Sequence, residues 1–355
     1  MPEQLVKAPA RVCLFGDHQD YLGLPVIACA IDRYIQISAQ PNKDNVFNIE
    51  LPDLKQSRSF SINDPFKPLA ARDYLGSSLC VLRRNGITID CGFNITITGN
   101  VPINAGLSSS SALTVAWITF LVKTFGQLQD FTAADIGHFA YLAECVEHQE
   151  SGGRMDQYTS AIGNSIYIDT NKDKHFRTLD LPFSELIIAE SGVPKKTVEG
   201  LANLNTKAHE AIAIITAKHP DFDIAGVTNE NYKVYDPYVS QALKPYYHAA
   251  FKNHCITQEA LKVNSMQHLG TLMYAHHKVL DELLGITTPE IDKLIAVAIK
   301  GGAYGAKIVG SGGGGCIAVC APKDKHENLV EKLMKAGAKD AYLVAISKGA
   351  YALNL

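Results

Sequence analysis

A run of small polar residues lies between two segments whose hydrophobic periodicities differ. Residues 104–111 (NAGLSSSS) follow a segment, 93–98, in which apolar and polar residues alternate. That alternation predicts a strand with one buried face. The mostly apolar segment 113–125 contains neither Gly nor Pro, and the serine before it can act as an N-cap, so it predicts a helix. The stretch is therefore expected to form a strand, a tight loop and a helix N-terminus.

This junction has two interpretations. The structural one is a serine-rich turn before a well-capped helix, since serine is common in turns and caps. The functional one is an anion site, because backbone N–H groups and the helix dipole attract negative charge at a helix N-terminus. The serine hydroxyls would then be available to phosphate or Mg²⁺. Features elsewhere in the chain have to decide between the two.

Size and charge limit the classes of protein to consider. The chain has 355 residues, more than the ~250–300 at which single cores stop growing, so we expect two domains. A net charge of −3 without a basic cluster argues against nucleic acid as the main partner. No apolar run reaches the ~18 residues of a membrane span, and no signal-peptide core is present. The eight cysteines are scattered, so we expect free thiols and a cytoplasmic protein.

A second glycine-rich run lies near the C-terminus. Residues 310–315 (GSGGGG) contain five glycines between two apolar, β-like segments. Because glycine loses the most conformational entropy on ordering, such a run indicates close backbone approach to a ligand or to another strand. No Gly-Lys-Ser/Thr follows, so the run is not a Walker A loop, and no helix opens on it as in a Rossmann fingerprint.

Two charged residues stand out in otherwise uncharged surroundings. Arg11 lies in an apolar, strand-like run, where an arginine needs an anionic partner. Asp156 follows two glycines and is either a solvated turn residue or a functional carboxylate. Together they suit phosphoryl transfer, in which a carboxylate takes or orients a hydroxyl proton and a cation stabilises the developing charge.

A polar loop follows the strand of Arg11. It contains Asp17, His18 and Asp20 within four residues. These can be ordinary loop residues. They can also be sugar ligands, because carboxylates accept hydrogen bonds from hydroxyl groups.

Five segments, in family order, resemble the GHMP small-molecule kinases, named for galactokinase, homoserine kinase, mevalonate kinase and phosphomevalonate kinase. Residues 8–26 resemble the galactokinase signature, and 101–116 (VPINAGLSSSSALTVA) resemble the family's phosphate loop. Residues 152–164 and 270–292 are similar to two further galactokinase segments, and 302–320 to the third family motif. The matches span nearly the whole chain, and the overall likeness is greatest to galactokinase.

The resemblance implies an α+β fold of two domains. The N-terminal domain, residues 1–185, would be a mixed sheet with helices and would carry the ATP phosphate loop. The C-terminal domain, residues 186–355, would be helix-rich and ferredoxin-like. ATP and a small-molecule substrate would bind in the cleft between them.

The resemblance also implies roles for individual residues. Asp156 would be the base or orienting carboxylate, and Arg11 would stabilise the developing charge. Ser110 and Glu144 would bind Mg²⁺; a surface glutamate on a helix over 132–149 is the alternative for Glu144. The other implied site residues are Asp17, His18, Asp20 and Gly153 for the sugar, and Asn104, Ala105, Gly106, Leu107, Ser108, Ser109, Ser110, Ser111, Gly312 and Gly313 for ATP.

Departures from the galactokinase pattern keep three functions open. Asp17 stands where galactokinases carry Glu, Arg154 stands where Ile is usual, and 191–204, with Lys195 and Lys196, looks more like mevalonate kinase. The leading hypothesis is an ATP-dependent sugar kinase acting on the anomeric hydroxyl of galactose or a related hexose. The alternatives are mevalonate kinase-like phosphorylation of a small acidic alcohol and a non-catalytic sugar sensor on the same fold.

Overall fold

The computed structural model describes residues 3–126, 131–150, 152–195 and 198–354. Lys196, which belongs to the segment 191–204 considered above, lies outside these residues. The strands within the described residues are β1 (Gln4–Phe15), β2 (Val26–Pro41), β3 (Val46–Leu51), β4 (Gln56–Ser61), β5 (Phe93–Gly99), β6 (Ser165–Ile168), β7 (Phe176–Leu179), β8 (Glu185–Glu190), β9 (Gly305–Ile308), β10 (Cys316–Cys320), β11 (Asp340–Ala345) and β12 (Tyr351–Asn354). The α-helices are α1 (Tyr74–Arg84), α2 (Ser109–Phe125), α3 (Ala133–Tyr141), α4 (Met155–Ile162), α5 (Val198–Lys218), α6 (Lys244–Ala260), α7 (Met266–Glu282), α8 (Pro289–Lys300) and α9 (His326–Lys335).

A mixed sheet dominates the N-terminal half. Its central strands are ordered β12, β1, β2, β5, β3 and β4, and β6 and β7 continue from β2. The strand predicted over 93–98 is β5, whose Phe93, Ile95 and Ile97 are buried in a core shared with α1, α2 and α3. β1 runs through Pro9, because a register shift after Pro9 lets its pairing with β2 continue.

Local hydrogen bonds and a π-helical turn set the ends of α1 and α3. The first helix begins at Tyr74, because the Asp73 side chain accepts a hydrogen bond from the backbone N–H of Gly76 and caps the helix there. The helix predicted over 132–149 begins with a Thr132–Asp135 capping box but ends as α3 at Tyr141. A π-helical turn, Leu142–Val146, replaces its last part.

The second sheet confirms the ferredoxin-like prediction for the C-terminal half. Its strands are antiparallel in the order β11, β8, β10, β9. One face packs on α8 and α9 through apolar residues such as Leu294 and Leu329. The other face shares a core with the C-terminal half of β1, where Arg11 is located. The α+β, two-domain GHMP kinase fold is therefore confirmed.

The last strand returns to the first sheet. β12 pairs antiparallel with β1 between Gln4–Lys7 and Tyr351–Asn354. The division of the chain at residues 185 and 186 stays a prediction, and the layers of the structure do not follow it at the C-terminus. None of the described helices is long and apolar enough to cross a membrane.

Candidate active site

A central cavity of about 690 Å³ lies between the two sheets. Four segments that are far apart in the sequence form its wall: the C-terminal part of β1, the β5–α2 loop, the N-terminus of α4 and the glycine run after β9. The structure thus brings together the four loops that were singled out from the sequence. Most of the predicted site residues line this cavity.

Arg11 and Asp156 form a two-pronged ion pair at the cavity wall. Arg11 donates from Nε to Oδ1 of Asp156 at 2.7 Å and from Nη2 to Oδ2 at 2.6 Å. Its Nη1 donates to the carbonyl oxygen of Gly106 at 2.6 Å, which ties the pair to the serine-rich loop. The arginine is buried and the aspartate is partly exposed to the cavity. Parallel bonds of this kind fix the orientation of the carboxylate.

The ion pair keeps Asp156 ionised. Burial alone would raise the pKa of Asp156, but the charge and hydrogen bonds of Arg11 outweigh it and hold this pKa below its ordinary value of 3.8. Burial would likewise lower the pKa of Arg11, but Asp156 raises it above its ordinary value. The cavity therefore presents a fixed carboxylate and a permanent cation at the same point.

The serine-rich loop adopts a left-handed backbone at three positions. Asn104, Gly106 and Ser108 have φ values of 58°, 88° and 64°. At Gly106 a Cβ atom would lie 2.5 Å from the carbonyl oxygen of Val309, so close packing against the glycine run requires glycine there. The loop is thereby shaped to bring the first turn of α2, with its free N–H groups, to the cavity.

Ser108 departs from the prediction of an ordinary helix cap. It occupies the N-cap position of α2, but its side chain makes no cap hydrogen bond. Its hydroxyl instead donates to Oδ2 of Asp156 and also contacts Ser111 Oγ at 3.3 Å. The loop and the ion pair therefore form one hydrogen-bonded unit.

Glu144 is a cavity residue and not a surface glutamate. It lies in the π-helical turn, is buried, and lines the cavity together with Ser110. Gln157 donates to Oε2 of Glu144 at 2.7 Å. Burial raises the pKa of Glu144, although hydrogen bonds from Ser111 and Gln157 partly offset this effect. A buried carboxylate beside serine hydroxyls is a donor set that suits a hard cation such as Mg²⁺.

Asp17 is held by Lys307, a lysine that no motif in the sequence marks as a site residue. Lys307, on β9, is fully buried and donates to Oδ2 of Asp17 at 2.6 Å and to the carbonyl oxygen of Cys13 at 2.9 Å. The backbone N–H of Gly310 donates to the other carboxylate oxygen at 2.9 Å. Burial would raise the pKa of Asp17, but Lys307 lowers it to about 2. Asp17 lies at the cavity wall, but its two oxygens already bind protein groups.

His18, Asp20 and Gly153 form the opposite part of the wall. His18 lies within 3.2 Å of the carbonyl oxygen of Ser311 through Nε2, and burial lowers its pKa to about 4, so the imidazole is neutral near pH 7. Burial, with a contribution from Asp156, raises the pKa of Asp20 to about 7. A side chain on Gly153 would collide with the Asp20 carboxylate, so glycine lets the two approach.

Three residues predicted to bind ATP lie outside the cavity. Leu107 is fully buried in the apolar core, and its carbonyl oxygen accepts the backbone N–H of Arg11 at 3.2 Å. Gly313 donates its N–H to Ile286 at 2.7 Å, and a Cβ on Gly312 would lie 2.6 Å from the Ile286 side chain. The glycine run thus packs on the loop before α8, and its first two residues, Gly310 and Ser311, reach the cavity instead.

Two cations near the site had no assigned role. Lys195 lines the cavity, and burial, together with the charge of Arg11, lowers its pKa. Arg154 does not pair with Asp156; its Nη2 binds Oδ1 of Asp173 at 2.7 Å, and its guanidinium lies 5.1 Å from the centre of the Tyr141 ring. The charge of Arg154 is thus balanced at the edge of the site.

Comparison with known proteins identifies domains of one kinase family in both halves of the chain. Residues 73–164 match the GHMP kinases N terminal domain, 257–339 the GHMP kinases C terminal, and 1–41 the galactokinase galactose-binding signature. The chain is 31% identical to a Haemophilus influenzae galactokinase, with 92% of this chain and 87% of that protein covered. It is 29% identical to the Pyrococcus furiosus mevalonate kinase, with 91% and 90% covered.

Solved structures of galactokinase and mevalonate kinase share this fold. The crystal structure of Lactococcus lactis galactokinase complexed with galactose aligns with a TM-score of 0.85 at 21% identity, covering 99% of this chain and 95% of the other. The Methanococcus jannaschii mevalonate kinase aligns with a TM-score of 0.73 at 21% identity, covering 97% and 98%. The chain belongs to the GHMP kinase family and is an ATP-dependent small-molecule kinase.

Proposed function

We propose that this protein is a sugar kinase that transfers the γ-phosphoryl group of ATP to the anomeric hydroxyl of galactose or a related hexose. The observation that carries the proposal is the Arg11–Asp156 pair, fixed between the serine-rich loop and the wall formed by His18 and Asp20. A phosphate site and a hydroxyl-binding wall thus flank one oriented carboxylate. The galactose-binding signature over residues 1–41 supports a sugar as the acceptor.

In the proposed reaction, the sugar oxygen forms a bond to the γ-phosphorus while the bond from that phosphorus to the β-phosphate oxygen breaks, and ADP leaves. Asp156 accepts a hydrogen bond from the attacking hydroxyl and takes its proton. Because the pKa of Asp156 is low, the carboxylate works mainly by orienting the hydroxyl and accepts the proton late, when bond formation has made it acidic. Arg11 stabilises the negative charge that develops beside it.

The phosphate end of the site belongs to the serine-rich loop. Backbone N–H groups at the N-terminus of α2 and the hydroxyls of Ser108 to Ser111 are the donors available to the ATP phosphates. Ser110 and Glu144 would hold Mg²⁺, which when bound neutralises phosphate charge. Gln157 fixes the orientation of Glu144.

One observation favours the second candidate, a mevalonate kinase-like enzyme. Asp17 stands where galactokinases carry a glutamate, and both of its carboxylate oxygens accept hydrogen bonds from the protein, one from Lys307 and one from Gly310. The wall therefore has one fewer free acceptor for a sugar hydroxyl. The similarity to the Pyrococcus furiosus mevalonate kinase is nearly as high as that to the galactokinase. A non-catalytic sensor is the third candidate, and the intact Arg11–Asp156 pair speaks against it.

ADP release with a panel of hexoses and with mevalonate tests the proposal. We expect turnover with at least one hexose, lost in Asp156→Ala, and none with mevalonate. Turnover of mevalonate but of no sugar would establish the second candidate. Sugar binding by calorimetry without ATP consumption would establish the sensor.

A further inference from the structure

A second concave space opens beside the central cavity. This side groove has a volume of about 390 Å³ and shares Asp20, Glu150 and Gly153 with the cavity wall. Neither Asp156 nor the serine-rich loop lines it. The side groove therefore leaves the cavity on the side assigned above to the sugar, and no part of the proposed phosphoryl transfer uses it.

The charges of the side groove do not suit an anion. Two carboxylates, Asp20 and Glu150, lie in its wall. Its cation, Arg154, pairs through Nη2 with Asp173 at 2.7 Å and lies 5.1 Å from the centre of the Tyr141 ring, while its buried Nη1 has no hydrogen-bond partner among the described residues. Glu150 is paired with Arg72 at 3.2 Å, so within the described part of the chain Asp20 is the carboxylate of the wall without a cation partner. A carboxylate or phosphate on the substrate would lie beside Asp20, and the charge of Arg154 is already balanced by Asp173. The side groove therefore favours an uncharged substituent.

The hydrogen-bonding groups of the side groove offer both acceptors and donors. Asp20 Oδ1 accepts the backbone N–H of Tyr21 at 3.0 Å, while Oδ2 has no donor among the described residues. The carboxamides of Asn171 and Asn205 line the groove but not the cavity, and they make no side-chain hydrogen bond to another described residue. An acceptor at the entrance is thus followed by two groups that can donate.

We propose that the sugar substrate carries an N-acylamino group in place of a ring hydroxyl, and that the side groove binds this group. The amide N–H donates to Asp20, and the acyl oxygen accepts from Asn171 or Asn205. An amide has one donor and one acceptor in this order, whereas a plain hydroxyl reaches only the entrance. This inference rests on the proposed sugar kinase activity.

The gain over the parent sugar comes from groups that a hydroxyl cannot reach. Each added hydrogen bond to an unengaged carboxamide, together with displaced water, favours the N-acyl sugar. We expect kcat/KM for the N-acetylated sugar to exceed that of its parent by about tenfold or more, the effect of one to two hydrogen bonds. The preference for the N-acetylated sugar should require that the part of the side groove beside Asn205 is open.

The test compares matched sugars: galactose with N-acetylgalactosamine and glucose with N-acetylglucosamine, with galacturonic acid and mevalonate as further substrates. ADP release gives kcat/KM for each. We expect a higher value for the N-acetylated member of at least one pair. In Asn205→Phe and, independently, Asn171→Phe, which fill the groove, that preference should be lost. Asn63→Phe, the same change in an exposed turn, should retain it.

The outcomes separate the side-groove inference from the sugar kinase proposal. Hexose turnover without an N-acetyl preference in either pair would overturn the side-groove inference and leave the sugar kinase proposal intact. Galacturonic acid turned over better than both N-acetylated sugars would also overturn it, because the charge argument would then be wrong. Turnover of mevalonate alone would overturn both proposals.

Discussion

Replacing Lys307 by methionine should expose the cost of an unpaired charge inside the protein. The lysine is fully buried and is the cation that holds Asp17, with Nζ at 2.6 Å from Oδ2. In Lys307→Met the carboxylate keeps its burial and its bond from Gly310, but it loses its counter-charge. Methionine fills a similar volume, so the main change is electrostatic.

The size of the effect follows from the pair. Against the effect of burial, Lys307, with smaller contributions from His276 and Cys13, lowers the pKa of Asp17 from 3.8 to about 2, a shift that corresponds to about 2 kcal/mol of stability at neutral pH. This contribution is present above pH 3.8 and is lost as the pH falls through about 2. Without the lysine, burial dominates and the pKa of Asp17 rises above its ordinary value. We expect a loss of about 3–5 kcal/mol in the free energy of unfolding near pH 8, as for other broken buried pairs.

Urea unfolding of the wild type and of Lys307→Met near pH 8 and near pH 5 measures this loss. Lys307→Met should be more stable near pH 5 than near pH 8, because its Asp17 can be protonated at the lower pH. In the wild type, the contribution of the Asp17–Lys307 pair to stability should change little over that range. Asp17→Asn/Lys307→Met, which removes both charges, should recover at least half of the loss. A loss under about 1 kcal/mol, or one that is equal at both pH values and persists in the double variant, would refute the reasoning.

Three further outcomes follow from the site. Asp156→Ala should lower kcat by about 10²–10⁴-fold with little change in ATP affinity by calorimetry; near-normal turnover would remove Asp156 from catalysis. Glu144→Gln should raise the Mg²⁺ concentration for half-maximal rate about tenfold or more; an unchanged value would remove Glu144 from the metal site. The sugar KM should fall as the pH rises through about 7, where Asp20 ionises to accept hydroxyl hydrogen bonds; Asp20→Asn should abolish that slope, and a KM independent of pH in the wild type would contradict the role of Asp20.

The parts of the site that were predictable from the sequence depend on local patterns. The change of period around residues 104–111 marked the strand, the loop and the helix, all of which are present as β5 and α2. An arginine in an apolar run requires a partner, and Arg11 has one in Asp156, although 145 residues separate them. In both cases the signal lies in one short segment.

The parts that were missed depend on distant contacts. Lys307 reads as an ordinary lysine at a strand end, and its partner Asp17 is 290 residues away, so no local pattern reveals the pair. The glycine run indicated close backbone approach, but the approach of Gly312 and Gly313 is to Ile286 and not to the cavity. The π-helical turn that carries Glu144 has no periodic signature at all.

The side groove also could not be predicted from the sequence. Arg154 departs from the galactokinase pattern, but its partner Asp173 lies in the β6–β7 turn, and only the fold brings the two together. Asn171 and Asn205 come from that turn and from α5, more than thirty positions apart in the sequence. Neither belongs to a recognisable motif.

Phosphorus NMR of the reaction product tests the central claim most directly. The protein is incubated with ATP, Mg²⁺ and the hexose it turns over best, and the phosphorus signal is correlated with the sugar protons. We expect a new monophosphate signal coupled to the anomeric proton, absent in Asp156→Ala. A monophosphate coupled to any other sugar position, or product formed only from mevalonate, would contradict the claim that this site phosphorylates an anomeric hydroxyl.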